Sequence, residues 1–331
     1  MSTEKLPESL LQAVTYFADE QRAHEFFVAM RWPDGVRCAH CNSENVGKLV
    51  VTTVKGRDGK PDKVRRVWNC KECKKQFTAK VGTIFHDSAL PLSKWLPALW
   101  LVVNAKNGVS SCELARSLGV TQKSAWHMGH RIRESIQRGG GIVNLNGVVE
   151  VDETYIGGMA RFMHAKVRKQ RFGGKTGPTG KTIVMGLLEK HSGKTSRVRA
   201  EVLPNLTTAS LDSRVRKYVL KGAEVHTDEN QAYRGLSGDY VHKFVSHAET
   251  YVKDGVHTNG LENFWCLLKR GIKGTYVHVA PFHLFRYLDE QTYRFNERKE
   301  DDQTRFLNAV KTAKDRRLTY RKLTGKSGRK P

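Results

Sequence analysis

The stretch that most constrains the fold is a β-branched run that carries an acid in its middle. Residues 148–156 alternate apolar and polar side chains, and Gly157 and Gly158 end the run in a turn. Asp152 lies inside this predicted strand, where a carboxylate is costly unless water, a hydrogen bond or a cation compensates. Taken alone, Asp152 is either an outward-facing acid or the first ligand of a metal site.

Two further acids begin to form a cluster with Asp152. A second short strand ends at Asp228. A helical pattern that stops at Gly271 places Glu262 at the border of its apolar face, two turns before Lys269. Three carboxylates, two on strands and one on a helix, suit a site for two divalent cations that drives displacement at phosphorus.

Two Cys-x-x-Cys pairs lie in the first quarter of the chain. They are Cys38 with Cys41 and, after a long insert, Cys70 with Cys73. Four thiolates in this arrangement predict one closed, tetrahedral, structural Zn²⁺ site, as in zinc ribbons. The alternative, two independent pairs of free thiols, fits the symmetric spacing less well. Residues 55–63 within the insert are expected to be the tip of a hairpin.

Residues 111–126 resemble a helix-turn-helix. Ala115 provides a small side chain at the helix crossing, Gly119 lies in the turn, and Thr121 is the expected N-cap of the second helix. A plain helical hairpin is the alternative. The side chains that the second helix would present to DNA are Gln122, Lys123, Ser124 and His127.

The charge of the chain favours a polyanionic partner. Lysine and arginine number 57 against 33 acids among 331 residues, which gives a net charge of +24. Nucleic acid is the usual partner for such a surface. No stretch reaches a transmembrane length and no signal peptide is recognised, so we expect a cytoplasmic protein that does not enter a membrane.

A strongly basic arm follows the first predicted strand. Residues 161–181 hold seven cations, four glycines and no acid, so they cannot form a core of their own. The arm is predicted to be either a solvated loop or a segment that becomes ordered on DNA phosphates. Its cations are Arg161, Lys166, Arg168, Lys169, Arg171, Lys175 and Lys181.

These motifs together resemble a known family. The sequence is similar to the DDE transposases of bacterial insertion sequences, in the ISXO-like branch with an N-terminal zinc ribbon. The resemblance spans nearly the whole chain. It is carried by Asp152-Glu153-Thr154-Tyr155-Ile156-Gly157-Gly158, by Thr227-Asp228-Glu229 and by His257-x-Asn259-Gly260-Leu261-Glu262-Asn263-Phe264-Trp265.

The resemblance implies an α/β fold with a ribonuclease-H-like catalytic core, preceded by a zinc ribbon and a helix-turn-helix. The predicted order β-β-β-α-β-α agrees with such a core, although periodicity alone indicates only α/β. The expected divisions are a helical segment at 1–30, the ribbon at 31–88, the helix-turn-helix region at 89–138, the catalytic domain at 144–300 and a basic tail at 301–331.

The resemblance also implies an activity. We expect a transposase that binds double-stranded DNA at the ends of its element, cuts it with Mg²⁺ or Mn²⁺, and joins the ends to a target. Asp152, Asp228 and Glu262 would hold the ions, while Glu150, Glu153 and Glu229 are predicted not to. A homo-oligomer on DNA and association with the nucleoid are expected.

Supporting roles are predicted for three residues near the last acid. Lys269 would contact a phosphate, and His257 and Asn259 would either position it or make structural hydrogen bonds. Two other functions remain open at this point. One is a DNA-binding regulator with an inactive catalytic domain, and the other is a nuclease of the same fold without strand transfer.

Overall fold

The chain divides into two units in the computed structural model. The structure describes residues 5–49, 52–54, 63–137, 144–158, 163–173, 178–190, 195–228, 231–245, 257–314 and 316–325. The first unit comprises the described residues within 1–104, 111–139 and 300–331, and the second those within 105–110 and 140–299. No helix among the described residues is both long and apolar enough to span a membrane.

The first unit opens with two helices where the sequence predicts one helical segment. They are α1 (Leu10–Ala18) and α2 (Glu20–Arg31). Asp19 separates them because its extended backbone ends α1 and its carboxylate accepts the N–H of Arg22 at 2.7 Å, which caps α2.

The cysteine-containing region forms two small antiparallel sheets. The first sheet joins β1 (Val46–Lys48), β4 (Trp68–Cys70) and β5 (Gln76–Phe77), and the second pairs β2 (Thr52–Val54) with β3 (Lys63–Arg65). The second pair confirms the predicted hairpin. Of the predicted tip at residues 55–63, Lys63 belongs to β3 and the others lie outside the described residues.

Three helices follow the cysteine region. They are α3 (Leu92–Asn104), α4 (Ser111–Leu118) and α5 (Gln122–Ile136). The turn between α4 and α5 contains Gly119 at φ +61°, and the Thr121 hydroxyl accepts the N–H of Ser124 at 3.2 Å. The predicted turn glycine and N-cap are therefore both confirmed.

The second unit is built on one five-stranded sheet. Its order is β10-β9-β6-β7-β8, in which β6, β7 and β8 run antiparallel and β9 and β10 run parallel to β6. Strand β10 is not predicted from the sequence. The strands are β6 (Val148–Ile156), β7 (Thr182–Lys190), β8 (Arg197–Leu203), β9 (Glu224–Asp228) and β10 (Val241–Val245).

Helices cover both faces of this sheet. One face packs against α7 (Thr208–Tyr218), and the other packs against α8 (Asn259–Arg270) and α9 (Leu284–Asn296). Gly186 on β7 permits the close approach of α8, because a Cβ there would lie 2.6 Å from a ring carbon of Trp265.

The basic arm contains a helix that the sequence analysis does not predict. Residues Ala165–Phe172 form α6, in which no side chain is buried. Lysine, arginine and glutamine are good helix formers, so this segment can become helical without a core of its own. The predicted alternatives, a solvated loop or a segment that becomes ordered on DNA phosphates, did not include this helix in the protein alone. Arg161 and Lys175 lie outside the described residues.

Residues 301–314 and 316–325 contain more regular structure than the predicted tail at 301–331 implies. Helix α10 (Asp302–Lys311) buries Phe306, and α11 (Tyr320–Leu323) follows it. The backbone N–H of Ile84 donates to Ala313 O at 3.0 Å, which ties this region to the first unit. The prediction of a tail is wrong for these residues, because the apolar side chains among the cations bury against distant parts of the chain.

Gly186→Ala should lower the free energy of unfolding by about 1–3 kcal/mol, because the added methyl forces α8 away from β7. Gly235→Ala is the matched control, since a Cβ at Gly235 meets no atom within 4 Å. Urea denaturation of both variants and the wild type measures the effect. Equal stability of the two variants would contradict the packing argument.

Candidate active site and zinc centre

Two predicted catalytic acids meet on adjacent parallel strands. The register of β6 and β9 pairs Glu150 with His226, and Asp152 and Asp228 each lie two residues further on. By the period of two along a strand, both acids start from the same face of the sheet. One oxygen of each lies within 4.8 Å of the other and of a third carboxylate, that of Glu153.

Glu153 belongs to this close group, although the sequence predicts that it does not hold the metal ions. Strand alternation directs it to the opposite face from Asp152, yet one of its carboxylate oxygens lies within 4.8 Å of the other two acids. Burial, followed by the charges of Asp228 and Asp152, raises the pKa of Glu153 to about 8. Its Oε1 is shielded from water and has no hydrogen-bond partner among the described residues.

Asp152 is held by a residue on α8. The indole N–H of Trp265 donates to Asp152 Oδ2 at 2.8 Å. Burial raises the pKa of Asp152, and the charges of Asp228 and Glu262 add to this effect, while the bond from Trp265 opposes it. Glu262 is exposed in the first turn of α8. It lies outside the close group of three, but it is near enough for its charge to act on Asp152.

The donor set fits hard divalent cations. Carboxylate oxygens are the ligands that Mg²⁺ and Mn²⁺ prefer. Burial is the largest cause of the raised pKa values of Asp152 and Glu153, and repulsion between the clustered carboxylates adds to it. A cation between them would relieve that repulsion.

Glu150 anchors the helix that carries Glu262. Its side chain is fully buried, and its Oε2 accepts the backbone N–H of Leu261 at 2.9 Å. The ammonium of Lys190 lies 2.9 Å from Oε1, and a ring nitrogen of His257 lies 3.3 Å from it. Glu150 therefore caps the start of α8, where Thr258 provides no side-chain cap.

The predicted supporting residues occupy different positions around α8. His257 contacts Glu150 and Lys190. These contacts agree with the second of its two predicted roles, that of a structural hydrogen-bonding residue. Asn259 is exposed at the first position of α8. Lys269 is half-buried two turns after Glu262, so it lies on the same side of the helix. Sequence reasoning missed Lys190 because it lies on a separate strand with no distinguishing pattern.

The four predicted zinc ligands come together in the first unit. The sulfur atoms of Cys38, Cys41, Cys70 and Cys73 all lie within 4.8 Å of one another. The sulfurs of Cys38 and Cys73, and those of Cys41 and Cys70, are 3.6 Å apart. Tetrahedral Zn²⁺ with bonds of about 2.3 Å separates its thiolates by about 3.8 Å. The geometry therefore supports a structural zinc ion with no position open for chemistry.

The residues predicted to contact DNA are distributed over α5 and α6. Gln122 and Lys123 are exposed in the first turn of α5. Ser124 and His127 are half-buried. On α6 the cations Lys166, Lys169 and Arg171 are exposed and Arg168 is half-buried.

Comparison with known proteins identifies two domains. Residues 144–296 match the ISXO2-like transposase domain, and residues 18–76 match the transposase zinc-ribbon domain. An uncharacterized protein in transposable element ISH50 of Halobacterium salinarum is 25% identical over 272 residues, which cover 78% of this chain and 85% of that protein. An uncharacterized transposase-like protein of Haemophilus influenzae is 28% identical over 115 residues, which cover 34% of this chain and 93% of that protein.

Cys70→Ser should remove most of the bound zinc and destabilise the first unit, because a closed tetrahedral site loses one of its four thiolates. Cys266→Ser is the matched control, since Cys266 is an exposed thiol outside the group. Elemental analysis of the purified proteins measures the zinc content. Full zinc in Cys70→Ser, or none in the wild type, would contradict the site.

Glu150→Gln should lower the free energy of unfolding by about 3 kcal/mol, because it breaks a buried ion pair and leaves Lys190 without its counter-charge. The double variant Glu150→Gln/Lys190→Met should recover part of this loss. Glu201→Gln is the control, because its pair with Arg214 is only partly buried and should cost less than about 1 kcal/mol. Equal losses for Glu150→Gln and Glu201→Gln would contradict the anchoring role.

Proposed function

Because this chain belongs to the ISXO2-like transposases, we propose that it binds the ends of its insertion sequence, cuts the DNA there and joins the ends to a target. The observation that carries the proposal is the meeting of Asp152 and Asp228 on adjacent strands next to the helix of Glu262. Acids placed in this way support metal-dependent displacement at phosphorus.

The strand order supports a ribonuclease-H-like core. Three antiparallel strands are followed by two strands parallel to the first, which gives the spatial order β8-β7-β6-β9-β10. In this order β6 and β9 are neighbours, and both deliver an acid at the same edge of the sheet. A helix, α8, then crosses one face and brings the third acid.

Asp152, Asp228 and Glu262 are proposed to hold the catalytic ions. When bound, two Mg²⁺ or Mn²⁺ ions would activate the attacking hydroxyl and neutralise the charge that develops on the leaving oxygen. Neighbouring residues of the protein fix the orientation of these carboxylates. Trp265 fixes one oxygen of Asp152, and Glu150 fixes the start of the helix that carries Glu262. Lys269 would contact a phosphate from the same side of that helix.

DNA binding is proposed for the exposed cations of the two units. Gln122, Lys123 and Ser124 in the first turn of α5 would enter a groove, as in a helix-turn-helix. The cations of α6 would contact phosphates without reading sequence. We also expect a homo-oligomer on DNA, because the two ends of an element must be held together for joining.

Each catalytic acid should be needed separately. Asp152→Ala, Asp228→Ala and Glu262→Ala should each lower DNA cleavage by more than about a hundredfold, since even loss of an outer partner of a metal ligand costs 10–100-fold. DNA binding should remain, because the zinc group and α5 are unchanged. The measurement incubates each protein with Mg²⁺ and the DNA segments that flank its gene, and follows nicking, joining and binding.

Glu153→Gln tests which acid is the third ligand. The backbone of β6 directs Glu153 to the face opposite Asp152, so this variant should retain activity within about tenfold of the wild type. A loss of activity as large as that of Asp228→Ala would identify Glu153, and not Glu262, as the third ligand.

The wild type also tests the overall proposal. If it nicks DNA but never joins the ends to a target, the protein is a nuclease and not a transposase.

A further inference from the structure

The C-terminal segment, residues 316–325, is fixed against helix α5. Arg131 on α5 is buried, and its Nε donates to Leu318 O at 3.0 Å. Its Nη1 donates to Ile84 O at 2.9 Å and to His86 O at 2.8 Å. One buried guanidinium therefore holds the C-terminal segment, α5 and the residues before α3 together.

Tyr320 of this segment contacts the exposed end of α5. The ammonium of Lys123 lies 5.1 Å from the centre of the Tyr320 ring, which is cation–π distance. The rings of His127 and Trp126 lie 5.7 and 6.4 Å from it. Tyr320 remains 41% exposed, so the ring forms part of the surface beside the first turn of α5.

Helix α5 offers few side chains to a partner by itself. From Ala125 onward most of the helix is buried, including Met128, His130 and Ile132. Within α5, only Gln122 and Lys123 of the first turn are exposed. A helix that enters a groove of DNA with one turn needs phosphate contacts from neighbouring elements to fix its position.

The C-terminal segment carries the charges for such contacts. It contains four cations and no acid. Arg316 pairs with Glu134, and Arg317 pairs with Asp87. Arg321 and Lys322 are exposed in α11, which Thr319 caps through the N–H of Lys322 at 3.2 Å. Tyr320, whose ring contacts Lys123, is therefore followed directly in the chain by two exposed cations.

We propose that the first turn of α5 and the C-terminal segment form one composite DNA-binding surface, in which Arg321 and Lys322 grip phosphates beside the groove that α5 enters. The inference rests on the proposed function, since it assumes that the partner is double-stranded DNA. In this surface Arg321 and Lys322 contact phosphates and do not read bases. Two adjacent cations on one short helix supply positive charge, but they do not form a surface shaped to fit base edges.

The test is a salt titration of binding to a random-sequence duplex, which phosphate contacts recognise as well as any other DNA. Arg321→Ala/Lys322→Ala should weaken binding and flatten the dependence of log affinity on log salt by roughly 0.9 per lost contact, about 2 in all. Arg321→Glu/Lys322→Glu should weaken it further, as an electrostatic contact requires. Both residues are exposed, so the thermal midpoint should stay unchanged.

Lys217→Ala/Lys221→Ala is the matched control for the loss of two charges. Both residues are exposed on or just after α7 in the second unit, and the slope should not change in this variant. The proposal is overturned if the wild type binds DNA and Arg321→Ala/Lys322→Ala keeps its slope, or if the control loses as much. Failure of the wild type to bind any duplex would instead refute the proposed function, and this surface with it.

Discussion

The arrangement of the candidate site depends on one buried carboxylate. Glu150 sits two residues before Asp152 on the same strand, and it binds the first turn of α8 and the ammonium of Lys190 at once. Isolated, a fully buried charge is strongly unfavourable, so this position is stable only with both partners in place. The same requirement sets where α8 begins relative to β6. The helix that carries Glu262 and Trp265 is thus placed by a residue that is not one of the proposed metal ligands.

Close approach of that helix requires the absence of side chains at two points. A Cβ at Gly260 would lie 2.7 Å from Glu150 Oε2, and one at Gly186 would lie 2.6 Å from the Trp265 ring. With both glycines present, Trp265 reaches Asp152 and its indole N–H is satisfied there. The resulting partial burial of Asp152 raises its pKa, which increases the benefit of a bound cation.

The first unit uses a similar device with the opposite charge. Arg131 is buried and donates to three backbone carbonyls from two parts of the chain, which lie 45 to 187 residues away from it in sequence. The four clustered thiols supply a second point of closure, which small sheets with few buried residues need. Both devices tie together segments that have little apolar surface of their own.

The sequence by itself determined the features that depend on neighbouring residues. The zinc cysteines, the turn at Gly119, the cap at Thr121 and strands that deliver Asp152 and Asp228 all follow from local spacing and side-chain type. Only the tertiary structure decided that Glu153 joins the acids, that Lys190 pairs with Glu150 and that α10 packs into the first unit. These depend on contacts between distant residues, such as Glu150 with Leu261, 111 positions apart, and no local pattern encodes a partner at that separation.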